Sequence, residues 1–155
     1  MKRVQLISEA KKEVALKIFR EYQKEWARFD ETVKFDDDGN PIYPWFDWYW
    51  TDKSYYPFFL KDNDDIAGLC FMREIEPARY AVAEFYLMPE FRIGDNALLF
   101  ANLAIGLFEG IIEFSTLHKN TRAKPLLQKF FDGFDCEKKT WNDETRIFWV
   151  IGEEK

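Results

Sequence analysis

In the first part of the chain, apolar residues recur at the spacing of an α-helix. This spacing predicts the first helix. From Ala15 they fall at i+3, i+4, i+7, i+11 and i+14, which places them on one face of an α-helix. Ser8 precedes this segment at a position suited to an N-cap. A dense turn signal, residues 35–41, follows it. We therefore predict an amphipathic helix whose buried face carries Ile18, Phe19, Tyr22, Trp26 and Phe29.

Shorter apolar runs bounded by turn residues predict β-strands. Residues 2–7 form a short, partly alternating segment, typical of a first or edge strand. Residues 56–61 and 66–72 flank the polar segment 62–65, which is the pattern of a β-hairpin. A third run, residues 80–88, contains no glycine and is typical of a central strand.

The second half of the chain alternates helical and strand patterns. Residues 96–109 are apolar nearly all round, which predicts a helix buried against a sheet. Residues 111–117 predict a strand parallel to an earlier one, and residues 121–132 predict a helix. Residues 136–141 and 145–151 predict a closing hairpin. This order predicts a single α/β (α+β) domain over residues 1–155, with a mixed, mostly antiparallel central sheet flanked by helices.

Composition narrows the range of functions. The net charge of the 155 residues is −6, which argues against nucleic-acid binding and favours a cationic small molecule or a basic protein as partner. Cys70 and Cys136 do not make a disulfide framework. A single histidine, His118, excludes most histidine-based metal and triad chemistry, so we expect no metal. The longest apolar segment is too short to span a membrane. We expect a cytoplasmic protein with no membrane or nucleic-acid partner.

Two short segments carry a resemblance to a known family. Residues 85–92, Phe-Tyr-Leu-Met-Pro-Glu-Phe-Arg, are similar to a strand that ends in Pro-Glu-Tyr-Arg in the GNAT superfamily of acyl-CoA-dependent N-acetyltransferases. Residues 120–123, Asn-Thr-Arg-Ala, are similar to the Asn-x-x-Ala that opens a later helix in that family. The predicted order of elements also resembles the GNAT order. The resemblance implies the GNAT fold and acetyl-CoA as co-substrate.

The same resemblance implies a coenzyme A site after the central strand. The family signature, Arg/Gln-x-x-Gly-x-Gly/Ala, holds the pyrophosphate on backbone amides at a helix N-terminus. Here Arg92 and Ala97 match, but Asp95 replaces the middle glycine. Either Asp95 points away and coenzyme A still binds, or Asp95 caps the helix and the site is weakened or lost. The implied cofactor-binding residues are Phe85, Leu87, Met88, Arg92, Ile93, Gly94, Asp95, Asn96, Ala97 and Asn120.

The catalytic residues implied by the resemblance lie on the central strand. Glu84 interrupts an apolar run, where a carboxylate needs either partners or a raised pKa. It occupies the position of the family's general base, although a structural or solvent-facing role is the alternative. Leu127 stands where many members have a general-acid Tyr, so we expect water or another tyrosine, Tyr86, in that role.

An aromatic segment, residues 43–59, resembles the acceptor-side region of one branch of the family. Aromatic faces and one acid suit a cationic amine, and plain hydrophobic packing is the alternative. The implied acceptor-binding residues are Trp45, Asp47, Trp48 and Tyr49.

We expect direct acetyl transfer from acetyl-CoA to the primary amine of a small molecule or a protein, by a monomer or homodimer. Asp95 and Leu127 favour an alternative, a catalytically weakened binding or regulatory module. A small-molecule-binding domain unrelated to coenzyme A is a third possibility.

Overall fold

The computed structural model describes residues 1–28, 30–31 and 33–152. In this part of the chain, seven strands form one sheet in the order β1-β2-β3-β4-β5-β7-β6. All neighbouring strands are antiparallel except β4 and β5, which are parallel. The strands are β1 (Lys2–Leu6), β2 (Tyr55–Asp62), β3 (Asp65–Glu76), β4 (Arg79–Leu87), β5 (Ile111–Leu117), β6 (Lys138–Asn142) and β7 (Arg146–Ile151).

The helices flank this sheet. They are α1 (Lys12–Trp26), α2 (Trp48–Thr51), α3 (Asn96–Ile105) and α4 (Ala123–Asp132), with short 3₁₀ turns at Glu9–Lys11 and Pro89–Phe91. The arrangement confirms the predicted mixed, mostly antiparallel sheet with β4 at its centre. Within the described residues, no helix combines the length and apolar character that crossing a membrane requires.

The first helix has the predicted buried face, but its start differs from the prediction. Phe19 and Tyr22 are buried, whereas Phe29 lies outside the described residues. Ser8 precedes a 3₁₀ turn rather than α1, and its side chain makes no capping hydrogen bond. The predicted N-cap role of Ser8 is therefore wrong.

The helix predicted at residues 96–109 is shorter and less buried than expected. It ends at Ile105, and Leu99, Leu103 and Leu107 are 43–55% exposed. Only the opposite face, with Phe100 at 0% and Ala104 at 1%, packs into the core. This helix packs against the sheet on one side, as predicted, and its other side is exposed because nothing in the described structure covers it.

Two hydrophobic cores lie on opposite faces of the sheet. The α1 core is an aromatic cluster built from α1, α2 and one face of the central strands, and it includes Phe19 and Phe71. The α3 core includes Phe100, Phe114 and Trp149 from the other face. The central strand β4 contributes side chains to both.

A β-bulge in β4 decides which of its side chains faces which core. Phe71 of β3 is paired with Glu84, while the next residue, Met72, is paired with Val82, so Ala83 is the extra residue. Val82 therefore packs against the α3 core, whereas Tyr86 belongs to the α1 core. Strict alternation from Val82 would have placed Glu84 on the α3 side. The bulge moves Glu84 to the aromatic side.

The central strands separate beyond a short parallel segment. Residues 79–81 of β4 pair with residues 111–113 of β5. Beyond Ala81 the two strands continue to Leu87 and Leu117 without pairing to each other. Pairing between the two strands therefore ends before the bulge at Ala83. The resulting V-shaped opening exposes backbone groups on both strands.

Close contact between β3 and β4 requires glycine at position 68. A Cβ atom built on Gly68 would lie 1.9 Å from the carbonyl oxygen of Tyr86, a backbone atom that cannot give way without moving β4. This contact fixes the segment of β4 that borders the opening.

We predict that Gly68→Ala destabilises the protein by roughly 1–3 kcal/mol or more, since overpacking forces backbone shifts of this cost. Urea unfolding measures the change. Gly39→Ala is the control, because it has open space and only the cost of a positive φ of 79°. Equal losses in the two variants would contradict the close-contact argument.

Candidate functional site

The half-buried carboxylate of Glu84 lies in the α1 core beside the opening. The hydroxyl of Tyr22, on α1, donates a hydrogen bond to Oε2 of Glu84. The hydroxyl of Tyr43 donates to Oε1 over 3.3 Å. A carboxylate has about four acceptor positions, so these two bonds leave room for a further donor.

Burial raises the pKa of Glu84 to about 7, although the hydrogen bonds from Tyr22 and Tyr43 act in the opposite direction. The positive charge of Arg146 also favours the ionised form. Burial and the nearby Glu84 charge raise the pKa of Tyr43 and Tyr49, so both phenols stay protonated. The arrangement places a carboxyl group that titrates near neutrality among hydroxyl donors.

A second polar group surrounds Tyr86, on the same face of β4 as Glu84. The rings of Tyr22 and Tyr86 lie 5.4 Å apart. Arg92 lies over the Tyr86 ring at 5.4 Å and forms a 2.8 Å ion pair with Glu25 of α1. Burial, followed by the negative charge of Glu25, raises the pKa of Tyr86 to about 12. Tyr86 therefore remains a proton donor at neutral pH.

Arg92, which the sequence resemblance assigns to coenzyme binding, also makes contacts within the protein. Its Nε donates to the carbonyl oxygen of Leu87 over 2.7 Å, in addition to the ion pair with Glu25. These bonds tie the loop after β4 to α1. Nη1 is the guanidinium nitrogen not involved in these two contacts.

The loop before α3 offers a place for a phosphate group. Asp95 makes no side-chain capping bond to α3; its carboxylate is 71% exposed and lies 3.9 Å from Nζ of Lys129. The N–H of Asn96 donates to the carbonyl oxygen of Ile93 over 3.2 Å, and the Asp95 side chain blocks none of the other N–H groups of the first turn. Gly94 has a φ of 56°, and a Cβ there would meet open space. These features fit a pyrophosphate on the N-terminus of α3.

The other residues assigned to the coenzyme have varied surroundings. Ile93 is 69% exposed, and Asn96 donates from Nδ2 to the carbonyl oxygen of Phe91 over 2.9 Å. Ala97 packs against the α3 core. Within β4 and just after it, Phe85 and Leu87 face the α3 core, and Met88 packs against the α1 core.

Asn120 precedes α4, and Leu127 lies in the middle of this helix. The side-chain oxygen of Asn120 accepts the N–H of Ala123 over 3.1 Å, so it helps to begin the helix. Leu127 packs against the α3 core. A Leu side chain in this position supplies no proton.

The aromatic segment is divided between core and surface. Tyr49 is buried in the α1 core, while Trp45 and Trp48 are 46% and 45% exposed, with ring centres 6.3 Å apart. The carboxylate of Asp47 is 71% exposed and lies 2.6 Å from Nζ of Lys12. Asp47 is therefore paired with Lys12 at the surface, whereas the partners of Glu84 are Tyr22 and Tyr43.

Sequence reasoning missed Tyr22, Tyr43 and Glu25 as parts of the site. The spacing of apolar residues places Tyr22 on the buried face of α1 but does not indicate the partner of its hydroxyl. The signal that was available is the carboxyl group of Glu84, since a buried carboxylate requires donors. Tyr43 lies in a loop, and nothing in its local sequence indicates that it reaches β4.

Comparison with solved structures identifies the fold. The chain is similar to an acetyltransferase from Thermus thermophilus (TM-score 0.68, 10% identity, covering 97% of this chain and 96% of that one). It is also similar to the PaiA N-acetyltransferase from Thermoplasma acidophilum, solved with coenzyme A (TM-score 0.67, 10% identity, 99% of each chain). A ribosomal-protein alanine N-acetyltransferase from Escherichia coli gives a TM-score of 0.65 at 11% identity, over 100% and 97% of the chains.

These similarities show that the chain has the GNAT fold, as the sequence resemblance implied. No family model and no curated protein matches the sequence itself. Among the described residues, no cluster of three or more His, Cys, Asp or Glu side chains could hold a metal ion.

We predict that Glu84→Gln removes a pH-dependent loss of stability. The pKa of Glu84 is raised from 4.5 to about 7 in the folded state, so the folded protein binds more protons than the unfolded chain between these values. Stability from this group is therefore fully present below about pH 4.5 and decreases as the pH rises through 7.

The unfolding free energy of Glu84→Gln minus that of the parent protein should increase by roughly 1–2 kcal/mol between pH 4.5 and 7.5. Urea unfolding across this range measures it. Glu76→Gln, an exposed substitution, is the control. A difference that does not vary with pH would contradict the raised pKa.

Proposed function

We propose that the protein is an acyl-CoA-dependent N-acetyltransferase that transfers an acetyl group directly to a primary amine. The observation that carries this proposal is the carboxyl group of Glu84 beside the opening, held by Tyr22 and Tyr43 and titrating near pH 7. The fold shared with acetyltransferases, one of them solved with coenzyme A, supports the choice of donor.

Acetyl-CoA would supply an activated acyl group, with its pyrophosphate on Gly94–Ala97 and its pantetheine arm along the free edges of β4 and β5. Phe85, Leu87 and Met88 would offer backbone groups to that arm. Asn120, whose side-chain oxygen already bonds Ala123, retains its amide NH₂ for a further contact.

Glu84 would act as the general base. An alkyl ammonium has a pKa of about 10 and attacks only after losing a proton. Since the pKa of Glu84 is about 7, a useful fraction of the carboxyl group is ionised at neutral pH. The 3.3 Å bond from Tyr43 is the longer of its two bonds, so we expect the ammonium group to replace this donor.

Tyr86 would protonate the leaving sulfur, a role left vacant by Leu127. It is two residues from Glu84 on the same face of β4, and its raised pKa keeps the proton on its hydroxyl until it is needed. Trp45 and Trp48 would supply the aromatic faces that contact the acceptor.

Direct transfer is favoured over an acyl-enzyme by the position of Cys70. This residue is fully buried in the α3 core, on the opposite face from Glu84, and burial raises the pKa of its thiol to about 12. A thiol in this state is a poor nucleophile.

A second candidate is a GNAT-fold module that binds coenzyme A without catalysis. The observations that favour it are the packing of Leu127 in the core and the internal bonds of Arg92. Calorimetric titration with coenzyme A, combined with an amine panel, separates the two candidates, because only the first combines binding with turnover.

We predict that Glu84→Gln lowers kcat by roughly 10²-fold or more, since Gln accepts no proton, and leaves the affinity for acetyl-CoA nearly unchanged. Steady-state rates with an accepted amine and calorimetric titration measure the two quantities. Glu76→Gln should leave both unaltered. An unchanged rate–pH profile in Glu84→Gln would remove this residue from the mechanism.

We predict that Asp95→Gly tightens coenzyme A binding severalfold, because it removes a negative charge next to the phosphate position. Since Asp95 does not cap α3, charge rather than capping is the cause. Asp95→Asn is the matched variant, and it should tighten binding by a similar factor. Titration calorimetry measures the affinity, and weaker or equal binding in both variants would contradict the expected phosphate position.

A further inference from the structure

A positively charged groove lies between α1 and the end of β4. It has a volume of about 570 Å³, within the range of small-molecule sites. Five cationic and two acidic side chains contribute to its walls, although the chain as a whole carries a charge of −6. These are Lys17, Lys24, Arg28, Arg92 and Arg122, with Glu21 and Glu25.

Both carboxylates in the groove already have cationic partners. Lys24 lies 3.3 Å from Glu21, and Arg92 lies 2.8 Å from Glu25. No carboxylate of the described residues forms an ion pair within 4.0 Å of Arg28 or Arg122. The groove therefore keeps an excess of positive charge after its internal pairs are formed.

The three arginines reach the groove from separate parts of the fold. Arg28 follows α1, Arg92 follows β4, and Arg122 immediately precedes α4, which comes after β5. The groove therefore reaches from α1 and the end of β4 to the segment between β5 and α4. Guanidinium groups bind carboxylates and phosphates through paired hydrogen bonds, which makes arginine the preferred residue for such anions.

The groove adjoins the proposed reaction site. Tyr86 and Met88 form part of its wall, and Tyr86 contacts Tyr22, which bonds Glu84. An anion held in the groove would thus belong to a molecule whose reacting part lies in the opening.

We propose that Arg28 and Arg122 form an anion-binding site for a phosphate or carboxylate group of the amine acceptor. This proposal rests on the proposed acetyl transfer for its biological role, but the presence of the anion site is independent of turnover. The groove wall formed by Tyr86 and Met88 lies on the α1 side of the sheet, whereas α3, at whose start the coenzyme pyrophosphate is proposed to bind, packs on the opposite side.

The test compares Arg28→Gln/Arg122→Gln with a control of equal charge change, Arg3→Gln/Lys139→Gln, at two exposed positions outside the groove. The probes are inorganic pyrophosphate and citrate, titrated by calorimetry into the full chain. Loss of charge-assisted hydrogen bonds predicts at least tenfold weaker binding of one or both probes in the groove variant and less than twofold change in the control.

Coenzyme A identifies the source of the anion. If its affinity falls together with that of pyrophosphate in the groove variant, the site holds the coenzyme phosphates and the proposal is overturned. If its affinity is unchanged while a probe is weakened, the site serves an acidic acceptor.

The proposal is overturned if neither probe binds the parent protein, or if the groove variant and the control bind both probes equally. Weakened probe binding in a protein that acetylates no amine would retain the anion site and reject the proposed catalysis. Normal turnover together with unaltered probe binding in the groove variant would retain the proposed catalysis and reject the anion site.

Discussion

The position of one extra residue in the central strand determines the chemistry available to this fold. Because Ala83 bulges between the pairs Phe71–Glu84 and Met72–Val82, the side chains that follow it exchange faces. Glu84 then meets Tyr22 and Tyr43 instead of the aliphatic side of the sheet. The parallel pairing of β4 with β5 also stops just before the bulge. One local irregularity thus coincides with the opening and directs a carboxyl group to its border.

Placing a carboxyl group in an aromatic core has a cost that its neighbours offset only in part. Burial disfavours the ionised form, and the two tyrosine hydroxyls restore some of its stability. The remaining imbalance leaves the pKa near 7, where the group exchanges protons readily. A complete set of strong donors would have produced a permanently ionised structural residue, whereas no donors would have produced a neutral one. The intermediate arrangement suits a base better than either extreme.

The sequence predicted the elements well because their patterns are local. The hairpin of β2 and β3, the central strand and the parallel β5 all follow from apolar runs and turn residues. Long-range features were not accessible in this way. The bulge at Ala83 depends on pairing with β3, and the bond from Tyr43 crosses from a loop to β4. The exposure of Leu99 was missed because apolar composition does not reveal that only one side of α3 has a partner.

The net charge of the chain averages over regions of opposite charge. A charge of −6 favours cationic partners when the whole surface is averaged, yet screening limits such effects to roughly 8–10 Å at physiological salt. Within that distance the groove beside Tyr86 is cationic, whereas under the proposed function the carboxyl group of Glu84 would receive an ammonium group. A molecule with an amine and an anion some distance apart satisfies both regions, and so does an amine bound beside a phosphate-bearing donor. Under the two proposals, the distance between these oppositely charged regions, rather than the net charge of the chain, would set the substrates that the protein accepts.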